Sequence, residues 1–172
     1  MDAAALRAEL RAAQAPLKEQ YRQDPATAKT PLTAHGRISS PGITFDVDQY
    51  DGVARAGLHR ATGGDGTDAC SGDMLVEAVL ACAGVTLHSV ATAMGIELRS
   101  VTGSGTAWFD ARGTLGIDRE APVGIGDLVL TFVVDSEADD AALERLAVST
   151  ERYCVVGQSL AVPPQVLVQR AG

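Results

Sequence analysis

The stretch that decides the fold is residues 72–95, G-D-M-L-V-E-A-V-L-A-C-A-G-V-T-L-H-S-V-A-T-A-M-G. It reads as one long helix, apolar over most of its circumference, with Cys82 near its middle. At about 100° per residue, Leu75, Ala78, Val79, Val85, Thr86, Ser89 and Ala93 share the Cys82 face, while Asp73, Glu77, His88 and Thr92 form a thin polar stripe. The pattern predicts a helix mostly enclosed by protein. Gly84 follows Cys82 closely, so another backbone or a small ligand has room near the sulfur, and a dense helix–helix contact accounts for the same pattern. Within the stretch, the longest run without an acidic, basic or histidine residue is 78–87, ten residues. That is short of the roughly 18 to 20 needed to cross a bilayer, so a core helix is expected and no membrane partner.

Outward from this helix, the chain divides into an N-terminal arm with its linker, 1–30, and one folded domain, 31–172. Leu6, Leu10 and Ala13 stand at helical spacing, Pro16 is expected to break or restart the helix, and Leu17 and Tyr21 continue the stripe. Residues 23–31 form a polar, proline-bounded linker. From 32 to 60 the period changes to two. Ile43, Phe45 and Val47 alternate with Thr44, Asp46 and Asp48, and Pro41-Gly42 and Asp51-Gly52 supply turns, which predicts a three-stranded antiparallel meander. After the central helix, 96–110 reads as a strand interrupted by Gly103 and Gly105, and 127–135 as a cleaner one. Ser136 is placed to cap the next helix, with Asp139 in the role of the capping-box acid. That helix carries Leu143, Leu146, Ala147 and Thr150 on one face and delivers Tyr153-Cys154; a short turn and a last strand at 166–168 follow. Strands grouped on both sides of a central helix indicate an α+β fold.

Composition narrows the function. A 172-residue chain with 46% hydrophobic residues holds a sizeable core. Twenty-two acidic against 14 basic residues give a net charge of -8 without a Lys/Arg cluster, which argues against nucleic acid as a partner. The N-terminus is broken by Arg7, Glu9 and Arg11 and lacks a secretory apolar region, so a cytoplasmic protein is expected. In that reducing setting three cysteines start as thiols. The glycine loop at 63–66 lacks a following Gly-Lys-Ser/Thr and any G-x-G-x-x-G, and His35, His59 and His88 share no metal spacing with the cysteines. No cofactor or metal is expected.

A cysteine in an apolar helix is ordinarily a small core residue. Three features point further for Cys82. Cys154 is a second cysteine at the end of a helix; Arg60 precedes the central helix across the glycine loop, where a guanidinium would favour thiolate; and Asp73 and Glu77 lie in the opening turns, where a carboxylate would hold such an arginine. Cys70 lies twelve residues before Cys82, well over about 10 Å away along a helix and beyond disulfide reach.

The run S-G-D-M-L-V-E-A-V-L-A-C-A-G, followed 72 residues after its cysteine by E-R-Y-C-V-V-G-Q-S-L, resembles the OsmC/Ohr family of organic hydroperoxide reductases and OsmC-like proteins. The resemblance covers roughly residues 32–170. It implies an α+β, OsmC-like fold with antiparallel sheets around a long buried central helix, in an intertwined homodimer whose active sites lie at the subunit interface. It further implies that Cys82 attacks the peroxide and becomes a sulfenic acid, that Cys154 resolves it as a disulfide, and that a dithiol reductant restores both thiols. Arg60 matches the arginine that some members carry before the glycine loop, and Asp73 the carboxylate of the helix start. Where the family commonly has Ser-Pro or Asn-Pro followed by glutamate, this chain has Ser71-Gly72-Asp73. That departure keeps an alternative open: an OsmC-like dimer with little or no turnover that binds a small apolar or thiol ligand, or a redox sensor.

Overall fold

Residues Ser71–Met94 form one unbroken 24-residue helix, α2 in chain order. Its interior holds no proline, and Gly95 ends it at φ 74°, its N–H returning to the Ala91 and Thr92 carbonyls. A glycine takes that left-handed conformation without a Cβ clash. The structure is a computed structural model; it describes residues 3–24, 36–39, 44–49, 52–116 and 118–171.

Before α2 come helix α1 (Ala3–Gln23), strands β1 (Gly36–Ser39), β2 (Thr44–Gln49) and β3 (Gly52–Gly57), a 3-10 turn at Arg60–Thr62 and the two-residue β4 (Ala69–Cys70). After it come β5 (Ser100–Trp108), α3 (Ala111–Thr114), β6 (Gly126–Asp135), α4 (Asp140–Tyr153), α5 (Val155–Gln158) and β7 (Gln165–Arg170). The first sheet has the order β1-β2-β3-β4 and the second β5-β6-β7. This is the α+β arrangement predicted from the periodicities, and β1, β2 and β3 pair antiparallel as the meander required. The turn at Pro41-Gly42 lies outside the described residues.

Three expectations need correction. The sheets are mixed: β4 runs parallel to β3 and β7 parallel to β6. The α4–α5 segment carries the chain back along β6 before β7 begins, and a helical crossover of that kind delivers a parallel strand. Pro16 does not interrupt α1, which runs through it. Its side chain is exposed and its fixed φ is helical, so what is lost is one amide donor facing water. Asp139 rather than Ser136 caps α4, accepting from the Ala142 N–H at 2.7 Å. Ser136 instead donates to the Glu97 carbonyl and accepts from the Ala138 N–H, pinning the turn between β6 and α4.

Enclosure of α2 is partial within one chain. Within one chain only the stripe Val79, Ala83, Leu87 and Ala91 of α2 is buried. It faces the alternating Leu128, Leu130, Phe132 and Val134 of β6 and the α4 residues Leu143 and Leu146. Close approach is made possible by Gly103 and Gly105 of β5: a Cβ at the former would stand 2.9 Å from the Phe132 ring, and one at the latter 2.9 Å from Val76. A single sheet covers one side of a helix and leaves the others bare; Val85 is 74% exposed. α2 is long and apolar enough to pass a length-and-composition test for a membrane span, a test that a core helix also passes.

Candidate active site

Cys82 sits in the middle of α2, half-buried, against the hydrophobic core. What approaches it is the junction of α4 and α5. Cys154 is the single extended residue between these helices, with φ -72° and ψ 102°; its N–H closes α4 onto the Thr150 carbonyl while its sulfur caps α5. The first amides of a helix have no partner inside it. Here the amides of Val155 and Val156, at the start of α5, favour the thiolate of Cys82.

The two thiols consequently occupy different electrostatic positions. Burial pushes the Cys82 thiol up, but the Val156 amide, the Cys154 thiol, the Val155 amide and the Thr86 hydroxyl all favour its thiolate, and the outcome lies below the ordinary thiol value. For Cys154, burial pushes upward, the Gly157 amide partly opposes it, and the neighbouring Cys82 raises it further, so the thiol is held above the ordinary value. Cys154 is fully buried; its sulfur accepts from the Gly157 N–H at 3.4 Å and lies 4.0 Å from the Val79 carbonyl, the outer limit for a sulfur donor. Both sulfurs are free thiols, and both belong to or pack against the same hydrophobic core.

The charged residues singled out from the sequence lie elsewhere. Arg60 opens the 3-10 turn, exposed, and its guanidinium lies over the bare face of Gly66. Asp73 stands in the first turn of α2 and, among the described residues, forms no ion pair with Arg60. It lines a cavity of about 320 Å³ with His59, Cys70, Val76, Trp108 and Phe109. Within that wall the His59 ring meets Phe109 edge-on and accepts from the Ala61 N–H through Nδ1, while the Trp108 indole N–H donates to Asp127. Cys82 and Cys154 are thus brought together and Arg60 and Asp73 are not. Sequence reasoning missed the Val155 and Val156 amides and the part of Thr86. The signals available were Cys154 between two helical segments and a threonine four residues after Cys82.

Residues 64–168 match the family described as OsmC-like protein. The chain belongs to the OsmC-like family. Solved structures agree on the fold. An OsmC-like protein from Mycoplasma pneumoniae superposes with a TM-score of 0.63 at 12% identity, over 83% of this chain and 97% of that one. An organic hydroperoxide resistance protein OsmC from Legionella pneumophila gives 0.59 at 16% identity, over 84% and 100%. An organic hydroperoxide resistance protein from Elizabethkingia anophelis gives 0.64 at 14% identity, over 83% and 99%. No curated protein sequence matches the chain.

Proposed function

We propose that this OsmC-like protein reduces organic hydroperoxides with Cys82 as nucleophile and Cys154 as resolving thiol. The observation that carries the proposal is the placing of two free thiols at one hydrophobic core with opposite tendencies, Cys82 toward thiolate and Cys154 toward thiol. The Cys82 thiolate attacks the terminal peroxide oxygen: an S–O bond forms, the O–O bond breaks, and the alkoxide takes a proton to leave as alcohol. Cys154 sulfur then displaces hydroxide from the sulfenic acid, which departs as water while the S–S bond forms. Peroxide is reduced by two electrons and the sulfur pair oxidised by two. A dithiol reductant closes the cycle by exchange. Arg60, exposed over Gly66, and Asp73, in the first turn of α2, stand apart from the two sulfurs and are given no part in these steps; Arg60→Ala is expected to leave turnover unchanged.

The same reading includes a homodimer. Val85, Met94 and Val101 are exposed on or beside α2, and a groove between α2 and β5 is lined by Leu80, Val85, Leu98, Val101 and Phe132. A second copy packed there would cover the faces that one sheet leaves bare. Steady-state consumption of cumene hydroperoxide with a dithiol tests the activity: turnover lost in Cys82→Ser supports it, and turnover retained there contradicts it. A second reading, binding of a small apolar or thiol ligand without turnover, is favoured by the cavity beside Cys70 and its aromatic wall of Trp108 and Phe109. That reading predicts ligand binding unaffected by Cys82→Ser.

A further inference from the structure

Trp108, the only tryptophan of the chain, is 48% exposed, yet three separate features hold it on the wall of the cavity beside Cys70. The register of β5 against β6 shifts between Thr106 and Trp108, an irregularity of the kind that re-aims a side chain. Its indole N–H donates to the Asp127 carboxylate at 2.6 Å. Asp127 accepts it from the left-handed region at φ 48°, the single non-glycine there among the described residues, and aspartate is one of the side chains that tolerate it. The ring also lies against Gly126, where a Cβ would stand 3.1 Å from it. Next along the wall, Phe109 is braced by the His59 ring, edge-on at 5.1 Å and 88°. Burial does not account for the ties on Trp108, since close to half of the residue is open.

The charge of the lining selects among ligands. It holds the Asp73 carboxylate and neither lysine nor arginine. Asp73 is exposed and, among the described residues, forms no ion pair. His59 accepts the Ala61 N–H through Nδ1, so its ring enters in the neutral form. An anion would be repelled by Asp73, and a neutral molecule would leave that charge unused. A cation on an apolar body is matched twice, by the carboxylate and by the aromatic rings. We propose that this cavity of about 320 Å³ binds a small organic cation, an ammonium group on an apolar body about the size of choline. The inference rests on reading the cavity as a ligand site and is independent of turnover at Cys82.

Because the chain has one tryptophan, its fluorescence reports directly from this wall. The full chain is titrated at about pH 8 and low salt with choline, with its neutral isostere 3,3-dimethylbutan-1-ol and with 3,3-dimethylbutanoate. Binding is checked independently by protection of Cys70 from iodoacetamide, resolved by peptide. Choline should saturate the fluorescence change and bind at least about tenfold tighter than the alcohol, through a charge pair and a cation–π contact together, while the anion should not saturate it. Asp73→Asn should weaken choline about threefold to tenfold and leave the alcohol unchanged. Trp108→Leu, read by Cys70 protection, should weaken choline more than the alcohol. The comparison of choline with the alcohol needs no variant, so it decides the matter even if a variant fails to fold. Equal binding of the two would make this an apolar site and overturn the cation, as would a preference left unchanged by Asp73→Asn or Trp108→Leu. Choline that neither saturates the fluorescence nor protects Cys70 would overturn the proposal, and if the alcohol fails as well, the reading of the cavity as a ligand site falls with it.

Discussion

At the scale of single residues, the proposed division of labour between the cysteines rests on where each sulfur sits. Cys82 is half-buried and faces helix-start amides that favour its anion; Cys154 is buried and faces that anion, which disfavours its own. The sign follows directly. A thiol held below its ordinary value is thiolate over more of the neutral range, so its reactivity plateaus at lower pH; one held above becomes reactive only at higher pH. Peptide-resolved alkylation should therefore show Cys82 titrating first and Cys154 well after it, and the reverse order would contradict this account of the site. The proposed pairing of these two cysteines follows from two motifs 72 residues apart that resemble the OsmC/Ohr family. The amides were not legible there. A backbone N–H has no signature in sequence, and those of Val155 and Val156 matter only because Cys154 interrupts the helix just before them.

At the scale of elements, periodicity revealed what is local and missed what is not. The alternation of Leu128, Leu130, Phe132 and Val134 marked β6, and the apolar run around Cys82 marked α2, because burial on one face imposes a period. The parallel pairing of β7 with β6 depends on how α4 and α5 return the chain, which no repeat in the strand itself records. The cap of α4 was misassigned by three residues, since Ser136 and Asp139 both suit an N-cap and the Glu97 carbonyl, distant in sequence, claims the serine. Asp139→Ala should cost about 1 kcal/mol of stability in urea unfolding, against a smaller loss at an uncapped surface site. Gly103 sets the distance between β5 and α2; a Cβ there would meet Phe132 at 2.9 Å and Leu80 at 3.2 Å. Gly103→Ala should destabilise by about 1 to 3 kcal/mol through overpacking, and an unchanged denaturation midpoint would show that the contact yields freely.

At the scale of the whole molecule, an apolar 24-residue helix with one buried stripe is an incomplete core. Exposed valines at 85 and 101, beside the groove that Phe132 floors, mark where completion is needed. A homodimer would supply it, and Val85→Glu should then shift the mass in light scattering from dimer toward monomer while the unaltered chain stays dimeric at micromolar concentration. A monomeric mass for the unaltered chain would contradict the proposed interface. The family assignment rests on residues 64–168, which contain Cys82 and Cys154, so the proposed chemistry can be tested apart from the assembly. The most direct measurement is a thiol count on fully reduced protein mixed with tert-butyl hydroperoxide, followed by mapping of the disulfide. The account predicts that two thiols disappear per chain, recovered as a Cys82–Cys154 bridge with Cys70 still free; retention of all three thiols under excess hydroperoxide would contradict it.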